Sequence, residues 1–262
     1  MLQTIAGGAL VVLAGLSLVL GFLWLVRRRW SPARLRSNND VASAYANVIG
    51  TTYAVILAFM LSGVWVNYND AIANTEQEAD ALIDLYRLAG GVAVHHGQQV
   101  RDLAHVYVRV MLDVEWPAMT RGSMAQEGRV AHDRLWRAVL AIHPGTPAEQ
   151  AVFSQMLSDL SNVTRHRALR EFQVRLGLPA ILWCVLVSGW VITVGVFSFF
   201  GVEEWRLHVI KSCALTLLIS IILVAIGEVD QPFQGRVHVE PVAFRLAHAT
   251  IDRLRAAEGD RR

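Results

Sequence analysis

The chain has 262 residues, 54% of them apolar, with a mean hydropathy of +0.38. A formal net charge of only +2 excludes a general affinity for nucleic acid. The apolar residues are gathered in blocks instead of recurring periodically, which excludes an ordinary soluble domain.

No charged residue occurs between Met1 and Val26, between Val41 and Asn69, between Leu176 and Val202, or between Ser212 and Gly227. The first three runs exceed the roughly 20 residues that cross a hydrocarbon core about 30 Å thick. The fourth is shorter, but Lys211 can snorkel and admit Val209 and Ile210. Membrane spans are therefore predicted at about 5–26, 48–66, 178–200 and 209–226. The fold class is all-α: two transmembrane hairpins, 1–66 and 178–227, with long helical extensions forming an extramembrane bundle over 67–177. A tail occupies 228–262.

A signal peptide carries its positive charges before the apolar core. Here Arg27, Arg28 and Arg29 follow the first run, so that run reads as a retained anchor. With Arg34 and Arg36 they crowd the first short loop, while Arg206, His208 and Lys211 face Glu203 and Glu204 in the second. Short loops rich in Lys and Arg stay cytoplasmic. The central region and both termini are then extracytoplasmic, in a bacterial inner membrane. Trp24, Trp30, Trp65, Tyr68 and Trp205 fall at the proposed boundaries, where amphipathic rings prefer to lie.

Span two is expected to continue past the bilayer, because Ile72, Ala79, Leu82, Ile83 and Tyr86 keep helical spacing up to Gly90-Gly91. A second helix carries Val100, Leu103, Tyr107, Val110, Met111 and Val114 and ends near Trp116-Pro117; a third runs from about Gln126 to Ile142. Thr146-Pro147-Ala148-Glu149 reads as a capping box. It starts a helix with Phe153, Met156, Leu157, Leu160 and Val163 on one face, reaching Gly177-Leu178-Pro179 and extending span three. In the tail, Arg236 to Glu240 alternates like a short strand, and an amphipathic helix with Phe244, Leu246, Ile251 and Leu254 follows Pro241. Glu258 to Arg262 reads as a frayed end.

The charge-free runs argue against a proton- or ion-coupled transporter, which commonly carries intramembrane ionisable groups. They suit either a pore lined by hydroxyls and apolar constrictions or a passive scaffold. Gly50, Thr51, Thr52, Tyr53, Ser62 and Gly63 make span two the pore candidate, although small residues equally serve close helix packing. Glu76, Asp80 and Asp84 form one helical stripe that is either a solvated face or an ion-binding stripe at a pore mouth. His95-His96 lacks metal-ligand spacing, so no metal site is expected there. Cys184 and Cys213 read as packing residues. No catalytic motif is present, so neither an enzyme nor a cofactor is expected. Glu228, Asp230, Pro232, Phe233 and Gly235 read as a structural corner after span four, with an ion site at the two carboxylates as the other reading.

Several segments resemble bacterial bestrophin-like proteins: Asn39-Asp40-Val41, Tyr53 to Phe59, Glu78 to Leu82, Leu85-Tyr86-Arg87, and Glu115-Trp116-Pro117. Thr193-Val194-Gly195, Phe200-Gly201-Val202 and Asp230 to Gly235 complete the series. The resemblance implies a homo-oligomer in the lipid bilayer, typically pentameric, acting as an anion channel for an ion such as chloride. It places span two along the pore with Ile56 and Phe59 as constrictions, and with the hydroxyls of Thr52 and Ser62 these are the expected pore-lining residues. Gln234 interrupts the Pro-Phe-Gly segment of true bestrophins and no acidic run follows, so the calcium clasp is not carried over. Bestrophins also keep their termini cytosolic, opposite to the orientation given by the arginines. The other reading is a non-conducting scaffold or envelope sensor that binds a protein through its extramembrane helices.

Overall fold

A computed structural model describes residues 2–259 of the protein, with side chains over 7–257. The expected frayed end at Glu258–Arg262 therefore lies outside the described side chains. Ten α-helices account for the architecture among the described residues: α1 (Leu2–Arg29), α2 (Pro32–Arg36), α3 (Asn39–Leu88), α4 (Val94–Val110), α5 (Trp116–Met119), α6 (Gln126–Leu140), α7 (Pro147–Arg175), α8 (Ala180–Ser198), α9 (Trp205–Val229) and α10 (Val242–Gly259). Helices α1, α3, α8 and α9 are each long and apolar enough to cross a bilayer. The chain divides into two compact units, residues 1–66 with 177–230 and residues 67–176 with 231–262.

The first unit packs α1, the first part of α3, α8 and α9 around Leu23, Tyr53, Leu57, Leu186, Trp190 and Leu223. Lipid offers no hydrophobic drive between helices, so small residues that admit close contact decide the packing. At Gly15 a Cβ would lie 2.5 Å from the Trp190 ring and 2.8 Å from Ser220 Oγ. At Gly189 it would lie 2.5 Å from the Tyr53 ring. The Tyr53 hydroxyl then donates to the Leu186 carbonyl at 2.8 Å, which satisfies a buried polar group. The two arginine-bearing loops are tied together. Asn39 and the Gly201 backbone exchange two hydrogen bonds (2.8 and 3.0 Å), Arg36 pairs with Glu203 at 2.7 Å, and the Arg27 guanidinium lies 4.4 Å from the Trp205 ring centre.

The second unit is built on Leu82, Leu85, Tyr86, Tyr107, Met111, Leu135, Met156, Leu160, Phe233, Phe244 and Ile251. Residues Ala89–Gly91 tighten α3 into a 3-10 turn, and Gly97 of α4 packs on the Ala89 carbonyl with no room for a Cβ. The second helix passes through Trp116-Pro117 and ends at Met119, close to where its spacing places the end. Pro117 has no N–H for the preceding turn, and the helix widens to π geometry over Met111–Glu115 before continuing to Met119. The chain turns at Gly122, whose φ is +77°.

Thr146 caps α7 as its spacing predicts, accepting the Glu149 N–H at 3.2 Å. The Glu149 carboxylate reaches back to the Gly145 N–H at 2.7 Å instead of to Thr146 itself. Two expectations are corrected. Helix α7 does not merge with span three: Leu176 adopts extended backbone, and α8 starts only after Pro179. Residues 236–240 form no strand, because no neighbouring strand offers a ladder among the described residues. The alternation there reports a wall instead: Val239 is buried while Val237 is exposed, the Val239 N–H goes to Pro232 O (2.7 Å), and the Trp116 indole donates to Val239 O (3.2 Å).

Candidate functional site

The membrane part of α3 turns two different faces outward and inward. Tyr53, Leu57 and Val64 point into the unit's core. Tyr45, Val48, Thr52, Val55, Phe59, Ser62 and Val66 are all exposed, with Phe59 at 70%. Their spacing alternates between three and four residues, the heptad-like repeat by which helices pack side by side. Of the expected pore residues, Thr52, Phe59 and Ser62 lie on this stripe, and Ile56 is half-buried at its edge. On another flank of α3, an open apolar groove of about 510 Å³ is lined by Gly50, Thr51, Ala54, Leu57, Phe197 and Leu218. None of the four expected pore residues lines it.

In the second unit Glu76, Asp80 and Asp84 are exposed on one face of α3. Asp84 pairs with Arg87 at 3.2 Å, and Glu76 and Asp80 have no ion pair among the described residues. The corner residues divide between the units. Asp230 follows α9 and accepts the Leu178 N–H at 2.7 Å, capping the approach to α8. Burial raises its carboxyl pKa, and the hydrogen bonds from Leu178 and Trp183 oppose that rise. Glu228 is half-buried at the end of α9. Pro232 and Phe233 are buried, the Phe233 ring meeting Trp116 edge-on at 5.8 Å, and Gly235 turns the chain at φ +77°.

The strongest electrostatic feature is a closed charge cluster inside the second unit. Glu78 of α3, Glu115 and Arg170 of α7 are fully buried, and Arg167 nearly so. Arg170 grips Glu78 through Nε and NH2 (2.8 and 2.9 Å) and reaches Glu115 at 3.3 Å. Arg167 holds both Glu115 oxygens at 2.8 and 3.0 Å. The Tyr107 hydroxyl donates to Glu78 at 2.5 Å and accepts from Arg167 at 3.3 Å. Burial alone would lower the Arg170 pKa, but Glu78 and then Glu115 carry it above the usual arginine range. Burial, reinforced by Glu78, raises that of Tyr107. Gly128 of α6 lies against the Glu115 carboxylate, where a Cβ would overlap it.

Nearby, the Thr164 hydroxyl donates to the Leu160 carbonyl (2.8 Å) and so accepts from the Trp136 indole and from His132 Nε2, each at 2.9 Å. That arrangement sets the Nε2–H tautomer of His132. Burial, then Arg167, lowers the His132 pKa.

This layout matches known proteins. The Bestrophin-like domain model covers residues 13–244. The chain belongs to the bestrophin-like family. Two crystal structures of single-residue variants of a bacterial bestrophin homolog from Klebsiella pneumoniae share the bestrophin-like fold. One superimposes with a TM-score of 0.66 at 12% identity, over 98% of this chain and 99% of the homolog. The other gives 0.65 at 11%, over 93% and 97%. A further crystal structure, of a protein described only as a membrane protein, gives 0.70 at 11% identity over 93% and 96%. None of the curated proteins matches the chain in sequence.

The bestrophin-like chain is thus a multi-pass membrane protein with four candidate spans. Its buried charge cluster escaped the sequence reading, yet the signal was present. Met156, Leu160 and Val163 continue at helical period to Arg167, Arg170 and Val174, so the two arginines occupy the buried stripe of α7. Glu78 likewise sits on the stripe of Ala71, Thr75, Leu82 and Leu85.

Proposed function

We propose that this bestrophin-like protein is a homo-oligomeric channel in the bacterial inner membrane, with the exposed α3 stripe turned toward the oligomer axis. One observation carries the reading: seven residues at three- and four-residue spacing, Tyr45 to Val66, are exposed on the membrane part of α3. A helix that is polar or small in part on this face, with Thr52 and Ser62 flanking the bulky Phe59, suits a pore with hydroxyl linings and an apolar constriction. A pentamer, the assembly of true bestrophins, is the expected subunit count. The short arginine-bearing loops face the cytoplasm in this reading, which puts the central region and the termini outside.

The family resemblance favours anions such as chloride. The exposed Glu76, Asp80 and Asp84 favour cations if they line the same pathway, because a ring of carboxylates repels anions. Two measurements on the purified oligomer separate these readings. Native mass spectrometry gives the subunit number, and proteoliposome flux compares chloride with potassium for wild type and for the Glu76→Gln, Asp80→Asn, Asp84→Asn triple variant. Potassium flux that falls in the triple variant supports the cation reading, and chloride flux supports the anion reading. A well-inserted protein that conducts neither ion, whatever its subunit number, would overturn the channel and favour a scaffold that binds a partner through its extramembrane helices.

A further inference from the structure

A histidine-carboxylate cluster lies apart from the α3 stripe, on the face that α4 and α10 share in the second unit. His248 and Asp252 stand one helical turn apart on α10, and His105 of α4 meets them from the opposite helix. Asp252 bridges the two rings, with Oδ1 at 3.1 Å from His105 Nε2 and Oδ2 at 3.1 Å from His248 Nδ1. The two imidazoles stack with centres 5.2 Å apart. One potential ligand atom from each residue lies within 4.8 Å of the other two.

Three features favour a metal ion over a simple ion pair. First, His105 Nε2 is buried and faces the Asp252 carboxylate at 3.1 Å, so an ion between them meets a donor on each side. Second, the Asp252 carboxylate lies between the two rings with a different oxygen 3.1 Å from each imidazole nitrogen, and ligands about 2.1 Å from a tetrahedral ion are about 3.4 Å apart, so one oxygen must turn toward both rings to complete the set. Third, the cluster opens onto a cavity of about 430 Å³, also lined by Arg109, Leu112 and Asp113, which leaves room for a water as fourth ligand. Around it Asp102, Asp113 and Asp252 face Arg109 and Arg255, so the surroundings carry an excess of negative charge when the histidines are neutral.

We propose that His105 Nε2, His248 Nδ1 and the Asp252 carboxylate form a binding site for a divalent transition-metal ion of the zinc class, clamping α10 onto α4. The mixed imidazole and carboxylate donors suit zinc or cobalt better than calcium or magnesium, which take oxygen ligands. Arg255 sets a condition on the site. Its guanidinium contacts His105 Nδ1 at 2.8 Å while also donating to Asp102 at 2.8 Å. A guanidinium donor on Nδ1 leaves the ring proton on Nε2. Binding therefore frees Nε2 by moving that proton to Nδ1, and Arg255 lets go of the ring and stays with Asp102.

The test uses the full-length protein in detergent, purified with a tag that contains no histidine, stripped with a chelator and titrated with Co²⁺. Wild type develops the visible ligand-field band of tetrahedral cobalt, and Zn²⁺ abolishes it and raises the melting temperature. His248→Gln and Asp252→Asn, at partly exposed positions, melt as the metal-free wild type does and bind cobalt roughly tenfold or more weakly. Arg255→Met removes the donor on Nδ1 and tightens binding; weaker binding in that variant contradicts ligation through Nε2. The His95-His96 pair, exposed at His95 and half-buried at His96, is the control. Absence of a band in folded wild type, or a band that survives His248→Gln but vanishes in His95→Gln/His96→Gln, overturns the proposal.

Discussion

Arg170 shows what a single buried charge can demand. Its guanidinium has no water to retreat to, and Glu78, Glu115, Met111 and Met119 take up its donors. Arg170→Met leaves Glu78 with only Tyr107 and strands half of Glu115, a loss of about 3–5 kcal/mol in unfolding free energy. Adding Glu78→Gln recovers part of it, because the unpaired carboxylate is then gone. Denaturant unfolding of both variants checks this, and a double variant no better than the single one contradicts it. His132 gives a pH dependence of definite sign. Its pKa is lowered in the folded protein, so the fold holds the neutral ring and its stabilising contribution is complete above the unfolded value of about 6.5. That contribution is lost as pH falls from there toward the lowered folded value. His105 and His166 are shifted in the same direction. The melting temperature is expected to drop as pH falls below about 6.5, and His132→Gln to shallow the slope without removing it.

Among the elements, α6 is positioned by the absence of a side chain. Gly128 lets its backbone rest on the Glu115 carboxylate, and Gly128→Ala must move either the helix or the carboxylate that Arg167 holds. A cost of about 1–3 kcal/mol in unfolding free energy is expected, against near neutrality for Glu127→Ala next to it in an exposed position. How much of each element can be read from sequence varies for physical reasons. The four spans are legible because a bilayer tolerates no charge over some 20 residues, and Arg27 to Arg29 and Lys211 mark where that ban lifts. The α7 start is legible because Thr146 and Glu149 satisfy local N–H groups within four residues. The alternation at 236–240 misleads because burial against Trp116 imitates the period of a strand, and burial says nothing about where the backbone bonds go. The charge cluster is hidden for the opposite reason. A charged residue on an apolar stripe reads as a solvated edge until its partner, distant in sequence, is placed beside it.

For the whole molecule, the pore lining is a proposal that rests on where three residues of α3 lie. Thr52, Phe59 and Ser62 share an outward stripe of α3, which their helical period foretells, while the assembly that would cover them lies outside a single chain. The same holds for the site on α4 and α10: His105 and His248 are far apart in sequence, and no spacing rule links them. The central claim is that the α3 stripe lines an ion pathway. Its most direct test is ion flux through proteoliposomes of the purified wild-type oligomer beside Phe59→Ala. Phe59 is 70% exposed in the single chain and supports no core, so the substitution leaves the fold of the protomer intact, and native mass spectrometry checks that the oligomer persists. The account predicts flux in wild type and a changed flux or ion preference in Phe59→Ala. Identical flux in the two, or none in a correctly inserted oligomer, would contradict it.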